Sequence, residues 1–296
     1  MRTSIVLILT AVVHPWVSCG QTRSPTPIDP VALVRRATLH RMESSTIPRT
    51  VRYLFRQLDG RHDTTKDTIE TVDGAVDRLV AVNGRPLSAP ANQAELDRLH
   101  ALMNHPEVQE RHHEREQADL NRINRMMRLL PDALLFRFEG MAPCAGGQCY
   151  RLSFSPNPHF EPHDQEANIF RSMAGEAWID QAQERLTRLE AHLVSGVRFG
   201  WGFIASLNKG GTVLIEQAEV GGHLWEVTRT KLNLTGTVLI FKPLNLQITE
   251  ERSNFSVVPS HVDYRKAIQL LENSGQPVAP AEDESGPFGH KLDLKP

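Results

Sequence analysis

Residues 197–205 read V-R-F-G-W-G-F-I-A, and the predicted fold is organised around this stretch. Strict alternation predicts a strand with one apolar, aromatic face. That face consists of Val197, Phe199, Trp201, Phe203 and Ala205. The opposite face carries Gly200 and Gly202, which weaken a strand but permit a bend or the close approach of another backbone. The pattern therefore favours a curved sheet with an aromatic side.

Further runs of strand character lie on both sides of this stretch, and no helical period interrupts them until about residue 259. They cover residues 175–180, 185–194, 212–220, 223–234 and 237–249. Turn residues separate them, at 208–211, at 221–222 and at Gly236. The spacing predicts an antiparallel meander within one sheet. Several runs are mixed in polarity on both faces, so neither face is predicted to be uniformly dry.

The preceding chain predicts helices as well as strands. Asp29 and Pro30 are typical of a helix N-cap and first position, and a helix is expected to about Met42. Two or three strands follow before residue 89. Residues 89–130 then have helical spacing and predict an inserted arm of two helices, with its distal half projecting into solvent. A stapled hairpin after this arm and a short helix ending near residue 272 complete an α+β fold.

Composition limits the classes of partner. The chain has 296 residues and is 40% hydrophobic, which is enough for a sizeable core. Its 33 Lys and Arg nearly balance its 35 Asp and Glu. A near-neutral charge gives no electrostatic reason to expect nucleic acid as a partner.

The first 20 residues predict export. Arg2 precedes an apolar run over residues 5–13, which is too short to span a membrane, and the small residues Ser18 and Gly20 permit cleavage after Gly20. Residues 1–20 are therefore predicted to be a signal peptide, with a periplasmic or cell-envelope destination. An uncleaved anchor is one alternative. A second is that Cys19 belongs to a lipobox and becomes acylated, giving an outer-membrane lipoprotein with peripheral membrane association, although Trp16 is unexpected where such motifs usually carry Leu.

Two cysteines remain in the mature chain, Cys144 and Cys149, in the sequence C-A-G-G-Q-C. In an oxidising compartment they are expected to form a disulfide that adds about 2 kcal/mol on the chain-entropy model. A metal or redox pair is the competing interpretation. Zinc would need two more suitable ligands, and the redox motif has two intervening residues where this chain has four.

No group of residues predicts catalysis or metal binding. His112 and Glu116 share a helix face, and His159 and His163 lie near Asp164, but neither set has a recurring metal signature. Carboxylates such as Glu176, Asp180 and Glu184 follow no pattern of pairing. We therefore expect a protein that is not an enzyme and has no cofactor and no metal.

The motif G-E-A-W-I-D at residues 175–180, followed by a long meander, resembles the LolA-like group of periplasmic lipoprotein carriers and outer-membrane lipoprotein-sorting proteins. The resemblance covers about residues 29–259 and rests on that short motif. It implies a strongly curved antiparallel sheet, an incomplete β-barrel, closed by helices around an apolar cavity for acyl chains. The arm at 89–130 and the cysteine pair depart from the family pattern.

The resulting expectation is a single curved-sheet domain over residues 29–262, with the helical insertion at 89–130 and a disordered tail at 273–296. Its function would be to bind or carry a lipid, or the acyl chain of a lipoprotein, in the apolar cavity. Alternation suggests that the cavity is lined by Phe199, Trp201, Phe203, Trp178 and Trp225. The alternative is a filled core in an envelope scaffold or interaction protein with no small ligand.

Overall fold

The computed structural model describes residues 28–45, 50–199, 205–221, 224–239, 241–258 and 262–273. Its helices are α1 (Pro30–Ser45), α2 (Ala89–Asn104), α3 (Pro106–Ala133), a short 3-10 helix (Glu166–Ser172) and α4 (Tyr264–Glu272). The early strands are β1 (Val51–Leu58), β2 (Asp63–Ile69), β3 (Val76–Val82) and β4 (Arg85–Pro86). After the helical arm come β5 (Leu134–Cys144), β6 (Gly147–Pro156), β7 (Met173–Asp180), β8 (Leu186–Leu193), β9 (Val197–Phe199), β10 (Ala205–Leu207), β11 (Thr212–Glu219), β12 (Trp225–Val238) and β13 (Lys242–Val257).

The strands form one antiparallel sheet that is not closed into a barrel. Its main path runs β4-β3-β2-β1-β13-β12-β11-β8-β7-β6-β5, and β9 and β10 branch from β12. The N-terminal strands join the sheet through β1, which pairs with the last strand, β13. The prediction of an α+β fold with an open, curved antiparallel sheet, an N-terminal helix and an inserted helical arm is confirmed.

The two ends of the stretch at residues 197–205 belong to two strands, β9 and β10, and not to the single strand that its alternation predicts. β9 pairs antiparallel with β10, and Phe199 lies opposite Ala205. These two residues therefore belong to different, antiparallel strands. Trp201 and Phe203 lie outside the described residues. The alternation predicted the β-structure of residues 197–199 and 205, but it could not predict that they belong to two antiparallel strands.

A second predicted boundary is also wrong. Gly236 was expected to mark a turn, but it lies within β12, opposite Leu207 of β10. A Cβ atom at this position would lie 1.9 Å from the carbonyl oxygen of Ser206. The glycine is therefore needed for the close approach of the two backbones, and the turn comes after Val238.

Helices cover β5–β8 on one side, which we call the closed face. Asp29 caps α1 by accepting hydrogen bonds from the backbone N–H groups of Val31 (3.0 Å) and Ala32 (3.1 Å). α1 then packs Leu33, Val34 and Ala37 against Leu152 and Ile179 of the sheet. The C-terminal part of α3 and the 3-10 helix extend this core over the neighbouring strands.

The other helices close the far end of the sheet. α2 and α4 bury Leu99, Ile268 and Leu271 against Ile69 and Val76 of β2 and β3. The proposed solvent projection of the arm is wrong, because Gln109 near the start of α3 is only 3% exposed. Its amide donates to the carbonyl oxygens of Asp73 (2.8 Å) and Ala75 (3.3 Å). Backbone groups in the β2–β3 turn thus hold the arm, which an apolar pattern could not reveal.

Candidate functional site: a groove across the sheet

The sheet carries a groove of about 1040 Å³ on the side opposite α1, which we call the groove face. Its lining comes from seven strands that are neighbours in the order β1, β13, β12, β11, β8, β7 and β6. Neighbouring strands lie about 4.8 Å apart, so the groove extends roughly 29 Å across them. A single space in contact with so many strands requires the sheet to curve round it.

A row of charged side chains with alternating signs runs beside the groove. Each residue is the direct cross-strand neighbour of the next: Arg188, Glu216, Arg229, Glu251 and Arg56. The nitrogen–oxygen distances are 3.0 Å for Arg188–Glu216, 3.4 Å for Arg229–Glu216, 3.2 Å for Arg229–Glu251 and 3.8 Å for Arg56–Glu251. Glu190 and Asp63 end the row through contacts with Arg188 and Arg56. We call these seven residues the charge ladder.

The ladder ties six strands together through their side chains. Opposite charges directly across from each other on antiparallel strands stabilise the pairing by roughly 0.2–1 kcal/mol each. At one end, Arg56 donates two hydrogen bonds to Asp63, at 2.9 and 2.8 Å. These bonds hold the pKa of Asp63 below its ordinary value and raise the pKa of Arg56. The ladder therefore stays charged over a wide pH range at this end.

The next row on the same face forms the floor of the groove. It consists of Ser153, Glu176, Glu190, Leu214, Lys231, Thr249 and Leu58. Beyond it, His192, Thr212, Asn233 and Gln247 continue the lining. Two leucines, Leu214 and Leu58, lie among charged and hydrogen-bonding groups along this floor. Such a surface suits a long ligand that is part apolar and part polar.

Two charged groups on the floor have no ion-pair partner within the described part of the chain. They are Glu176 on β7 and Lys231 on β12, whereas Glu190 between them is bound to Arg188. Three strand spacings separate Glu176 from Lys231, which corresponds to about 14 Å. The groove thus offers one free negative and one free positive group at well-separated positions.

The closed face holds a second, much smaller cavity. It lies between α1, α3 and the sheet and has a volume of about 30 Å³. Its lining is entirely apolar apart from Thr38 and includes Val34, Met127, Leu130, Phe136, Phe154 and Ile179. A volume of roughly 30 Å³ corresponds to one water molecule in the liquid. This core is therefore nearly filled, and as it stands it has no room for an acyl chain.

The aromatic residues predicted to line an apolar cavity lie in different places. Phe199 is half-buried on β9. Trp178 lies on the groove face beside the ladder, with the Arg188 guanidinium 5.5 Å from its ring centroid. Trp225 is 5% exposed, and its Nε1 donates a 2.7 Å hydrogen bond to Gln183. None of these three lines either of the two cavities, and the other two candidates, Trp201 and Phe203, lie outside the described residues.

Cys144 and Cys149 form the predicted disulfide, with their Cα atoms 5.9 Å apart. It closes the β5–β6 hairpin at the edge of the sheet. The carboxylate of Asp180 lies within 4.8 Å of the two sulfur atoms. Its Oδ1 accepts hydrogen bonds from the backbone N–H groups of Ala182 (2.9 Å) and Gln183 (2.7 Å). The carboxylate therefore has a structural role in the turn after β7.

The acidic groups beside the histidines weighed as metal ligands are bound to other partners. His112 lies 3.0 Å from Glu116, whose carboxylate also accepts from the backbone N–H of Ala75 at 3.1 Å. Asp164, near His159 and His163, is bound to Arg125 at 2.9 Å. Both acidic groups thus serve to attach α3 to neighbouring segments.

One buried acid lies on the closed side of the sheet. Glu70 accepts a 3.0 Å hydrogen bond from the hydroxyl of Tyr53. Burial raises the pKa of Glu70, and burial together with the Glu70 charge raises the pKa of Tyr53. The pKa values of Glu70 and Asp63 therefore shift in opposite directions, because burial dominates at Glu70 and the hydrogen bonds from Arg56 dominate at Asp63.

Among the described residues, no helix combines the length and the apolar character needed to cross a bilayer.

No family model matches the chain, and no curated protein matches it. Solved structures that match include a DUF1329 family protein from Desulfovibrio piger and a putative outer membrane lipoprotein-sorting protein domain from Vibrio parahaemolyticus. The first is 10% identical, with a TM-score of 0.27, and the match covers 82% of this chain and 100% of the other. The second is 8% identical, with a TM-score of 0.31, and covers 81% of this chain and 99% of the other.

The two matches span almost the whole length of both solved chains.

The sequence analysis did not predict the groove, because the only indication of it was the mixed polarity of the strands. Strands of the meander carry charges on one face, such as Arg188 and Glu190 on β8 and Arg229 on β12. This pattern indicated that neither face is uniformly dry. It could not show that the charges become direct neighbours, because that depends on the register of six strands.

Proposed function

We propose that this protein is an exported cell-envelope protein that binds or carries a lipid, or the lipidated end of a protein, along the groove face of its sheet. The observation that carries the proposal is the groove itself, about 1040 Å³ in volume and lined by seven strands. Ligand sites in proteins commonly have volumes of roughly 300–1000 Å³. Its length and its mixed lining suit a chain-like molecule with a polar end.

The place of binding differs from the apolar cavity expected from the aromatic residues. Leu58, Leu214 and other apolar groups in the groove supply contacts for a hydrocarbon chain. Lys231 supplies a free cation for an acidic headgroup, and Glu176 supplies a free acceptor. The ladder keeps the adjacent charges paired, so these two groups remain the ionic contacts that a ligand can use.

The experiment compares two identical substitutions on the same side of the sheet. Leu214→Trp places a large ring on the groove floor, whereas Leu135→Trp places one on the edge strand β5, where the side chain is 50% exposed and does not line the groove. Protein prepared from the cell envelope is extracted into organic solvent and the extract is analysed by mass spectrometry. We expect bound lipid with the wild type and with Leu135→Trp, and little or none with Leu214→Trp. Absence of lipid from all three proteins, together with no binding of a fluorescent fatty acid, contradicts the proposal.

A second candidate is an envelope scaffold or interaction protein with a filled core. The observation that favours it is the small closed-face cavity of about 30 Å³. On this alternative the groove receives a segment of a partner protein. Crosslinking in the intact envelope would then give a protein adduct that Leu214→Trp removes, while the lipid extract stays empty.

We also propose that the role is binding and not catalysis. The carboxylates beside the groove are occupied by arginines, as Glu216 is by Arg188 and Arg229. Such pairing stabilises the sheet and leaves these groups poorly suited to proton transfer. Turnover of a lipid ester by the purified protein, lost in Glu176→Gln, would overturn this part of the proposal.

Export itself is proposed from the sequence of residues 1–20, which lie outside the described residues. Cleavage after Gly20 gives a mature chain that begins at Gln21, and the lipobox alternative gives an acylated Cys19. Intact mass of protein from the envelope distinguishes the two. A chain that retains Met1 in that fraction contradicts both.

A further inference from the structure

The hairpin tip between β12 and β13 exposes large apolar side chains. Phe241 is 83% exposed and Leu239 is 61% exposed. Val238 pairs with Lys242, so the two apolar residues lie at the very end of a long hairpin. We call Leu239 and Phe241 the apolar tip. Single exposed apolar residues are normal on a protein surface, but two large ones at one turn indicate a contact with another molecule.

The backbone at the tip makes this choice of residue unfavourable for stability. Leu239 adopts φ +51°, in the left-handed region that glycine and asparagine occupy easily and a branched side chain does not. A turn selected for stability alone would carry glycine or asparagine here. The apolar side chain is present although the local conformation disfavours it.

The last residue of β9 and the first residue of β10 lie beside the apolar tip. Phe199, Ala205, Val238 and Lys242 form one row across β9, β10, β12 and β13. Arg198 lies in the next row, opposite Ser206. Arg198 and Lys242 therefore lie on the two sides of the apolar tip, at the same end of the sheet.

Charge is distributed very unevenly around this end of the sheet. The segments 191–215 and 230–249 contain no Asp and no Glu, although the whole chain has 35. Their cations are Arg198, Lys209, Lys231 and Lys242, and none of these has an ion-pair partner within the described residues. In contrast, the arginines of the charge ladder are all paired. Arg198 and Lys242, the two of these cations that lie at the end of the sheet with the apolar tip, make this end complementary to a surface that is negative outside and apolar within.

From this arrangement we propose that the apolar tip and its flanking cations dock the protein on the surface of a bilayer that contains anionic lipids. Leu239 and Phe241 enter the interface, and Arg198 and Lys242 contact the headgroups. This docking does not depend on a ligand in the groove, so it can hold or fail separately from the proposed function. It places one end of the sheet at the membrane while the remainder stays in the aqueous phase.

The test uses the chain from residue 21 to 296, which contains every described residue and cannot be acylated at Cys19. Binding is measured by co-sedimentation with vesicles of phosphatidylcholine alone and with vesicles of phosphatidylcholine and phosphatidylglycerol. We expect binding to the second kind, and we expect it to weaken as salt is added, because salt screens the attraction between cations and headgroups.

Variants locate the binding. Phe241→Ser is expected to weaken binding about tenfold or more, since it removes a side chain that becomes buried in the interface. Its matched control is Val257→Ser, at the other end of β13, where the side chain is 74% exposed and binding should not change. Lys242→Gln is expected to weaken binding about fivefold on the anionic vesicles and to have no effect with phosphatidylcholine alone.

Leu239→Gly gives the sharpest test, because it should move two measurements in opposite directions. Glycine adopts the left-handed conformation without strain, so the variant should have a higher Tm than the wild type. It should bind vesicles more weakly, because the apolar side chain is gone. A tip with a purely structural role would not lose vesicle binding in this variant.

Three results would overturn the proposal. One is absence of binding by the wild type to phosphatidylglycerol vesicles. Another is equal binding by Phe241→Ser and wild type. The third is a dimer in solution, seen by light scattering, that Phe241→Ser converts to monomer, since the occupant of the tip would then be a second copy of the chain.

Discussion

The two faces of the sheet differ in what covers them. On the closed face, helices press apolar side chains against Leu152 and Ile179, and the cavity that remains is about 30 Å³. On the groove face, β6, β7 and β8 line part of a groove of about 1040 Å³, and the paired charges beside it begin on β8 and continue to β11. Alternation along each strand sends neighbouring residues to opposite faces, so a single strand contributes side chains to both faces.

The comparison shows how a sheet can keep a large cavity without collapsing. Apolar side chains facing an unfilled space would favour closure or aggregation, because burying them lowers the free energy. Charged pairs such as Arg229–Glu251 are stable while partly exposed to water, so they do not favour closure of the groove or aggregation. Stability is thus expected to depend mainly on the apolar cores that helices cover, among them the closed face, and ligand binding on the groove.

The largest expected effect is on the closed face. Leu152 is fully buried, and Leu152→Ala should lower the free energy of unfolding by about 2–5 kcal/mol through lost contacts and a new cavity. Leu135→Ala on the edge strand, where the side chain is half exposed, should change it by less than about 0.5 kcal/mol. Urea denaturation followed by circular dichroism measures both. Equal losses would mean that the closed face is not the main source of stability.

The next largest effect is expected for the disulfide in the β5–β6 hairpin, at the edge of the sheet. Replacing Cys144 and Cys149 with serine should lower the free energy of unfolding by about 2 kcal/mol, because the unfolded chain gains freedom. A reductant should lower the Tm of the wild type toward that of the variant and leave the variant unchanged. Alkylation without a reductant should label no thiol in the mature protein. Two labelled thiols in protein taken from the envelope contradict the prediction.

A smaller effect is expected in the charge ladder. Glu216 is paired with both Arg188 and Arg229, and Glu216→Gln should cost about 1 kcal/mol or less, because these groups are partly solvated. The cost should shrink in high salt. Glu161→Gln, an exposed carboxylate without a partner in the described region, serves as the control and should have no measurable effect. If Glu216→Gln lowered the free energy of unfolding as much as Leu152→Ala does, the charge ladder would contribute as much to stability as the apolar core.

The pH-dependent stabilisation by Asp63 should be smaller than the effect of Glu216→Gln. Arg56 lowers the pKa of Asp63 on folding, so the stabilisation is present above the unfolded pKa of about 3.9 and is lost as the pH falls through the folded value. Asp63→Asn should therefore have a lower Tm than the wild type at neutral pH. The two proteins should converge in acid. A difference in Tm that does not depend on pH would show that charge is not the cause.

Glu70 should behave with the opposite sign, because burial raises its pKa. Folding then favours the protonated acid, and ionisation above the folded pKa destabilises the protein. Glu70→Gln stays neutral and keeps an acceptor for the Tyr53 hydroxyl, so it should raise Tm at neutral pH. This gain should disappear as the pH falls. A variant that is less stable at neutral pH would contradict the assignment.

Local sequence determined most of the elements of this fold. Asp29 and Pro30 predicted the start of α1, and the spacing of residues 89–130 predicted the two-helix arm. The two cysteines left in the predicted mature chain indicated a disulfide across a short loop, and the structure contains it. These features depend on neighbours in the chain, so a pattern of a few residues suffices to specify them.

The groove and the ladder were decided by the tertiary structure. Arg56 and Glu251 are about two hundred positions apart, and they meet because β1 pairs with β13 in one particular register. A shift of one residue would send every charge to the closed face. Likewise, the alternation at residues 197–205 predicted β-structure but not the antiparallel pairing of β9 with β10. The sequence by itself determined which residues are apolar and where most strands and helices begin, because those depend on local conformation. Only the pairing of distant strands decided which residues share the groove face, because register is set by contacts across the whole sheet.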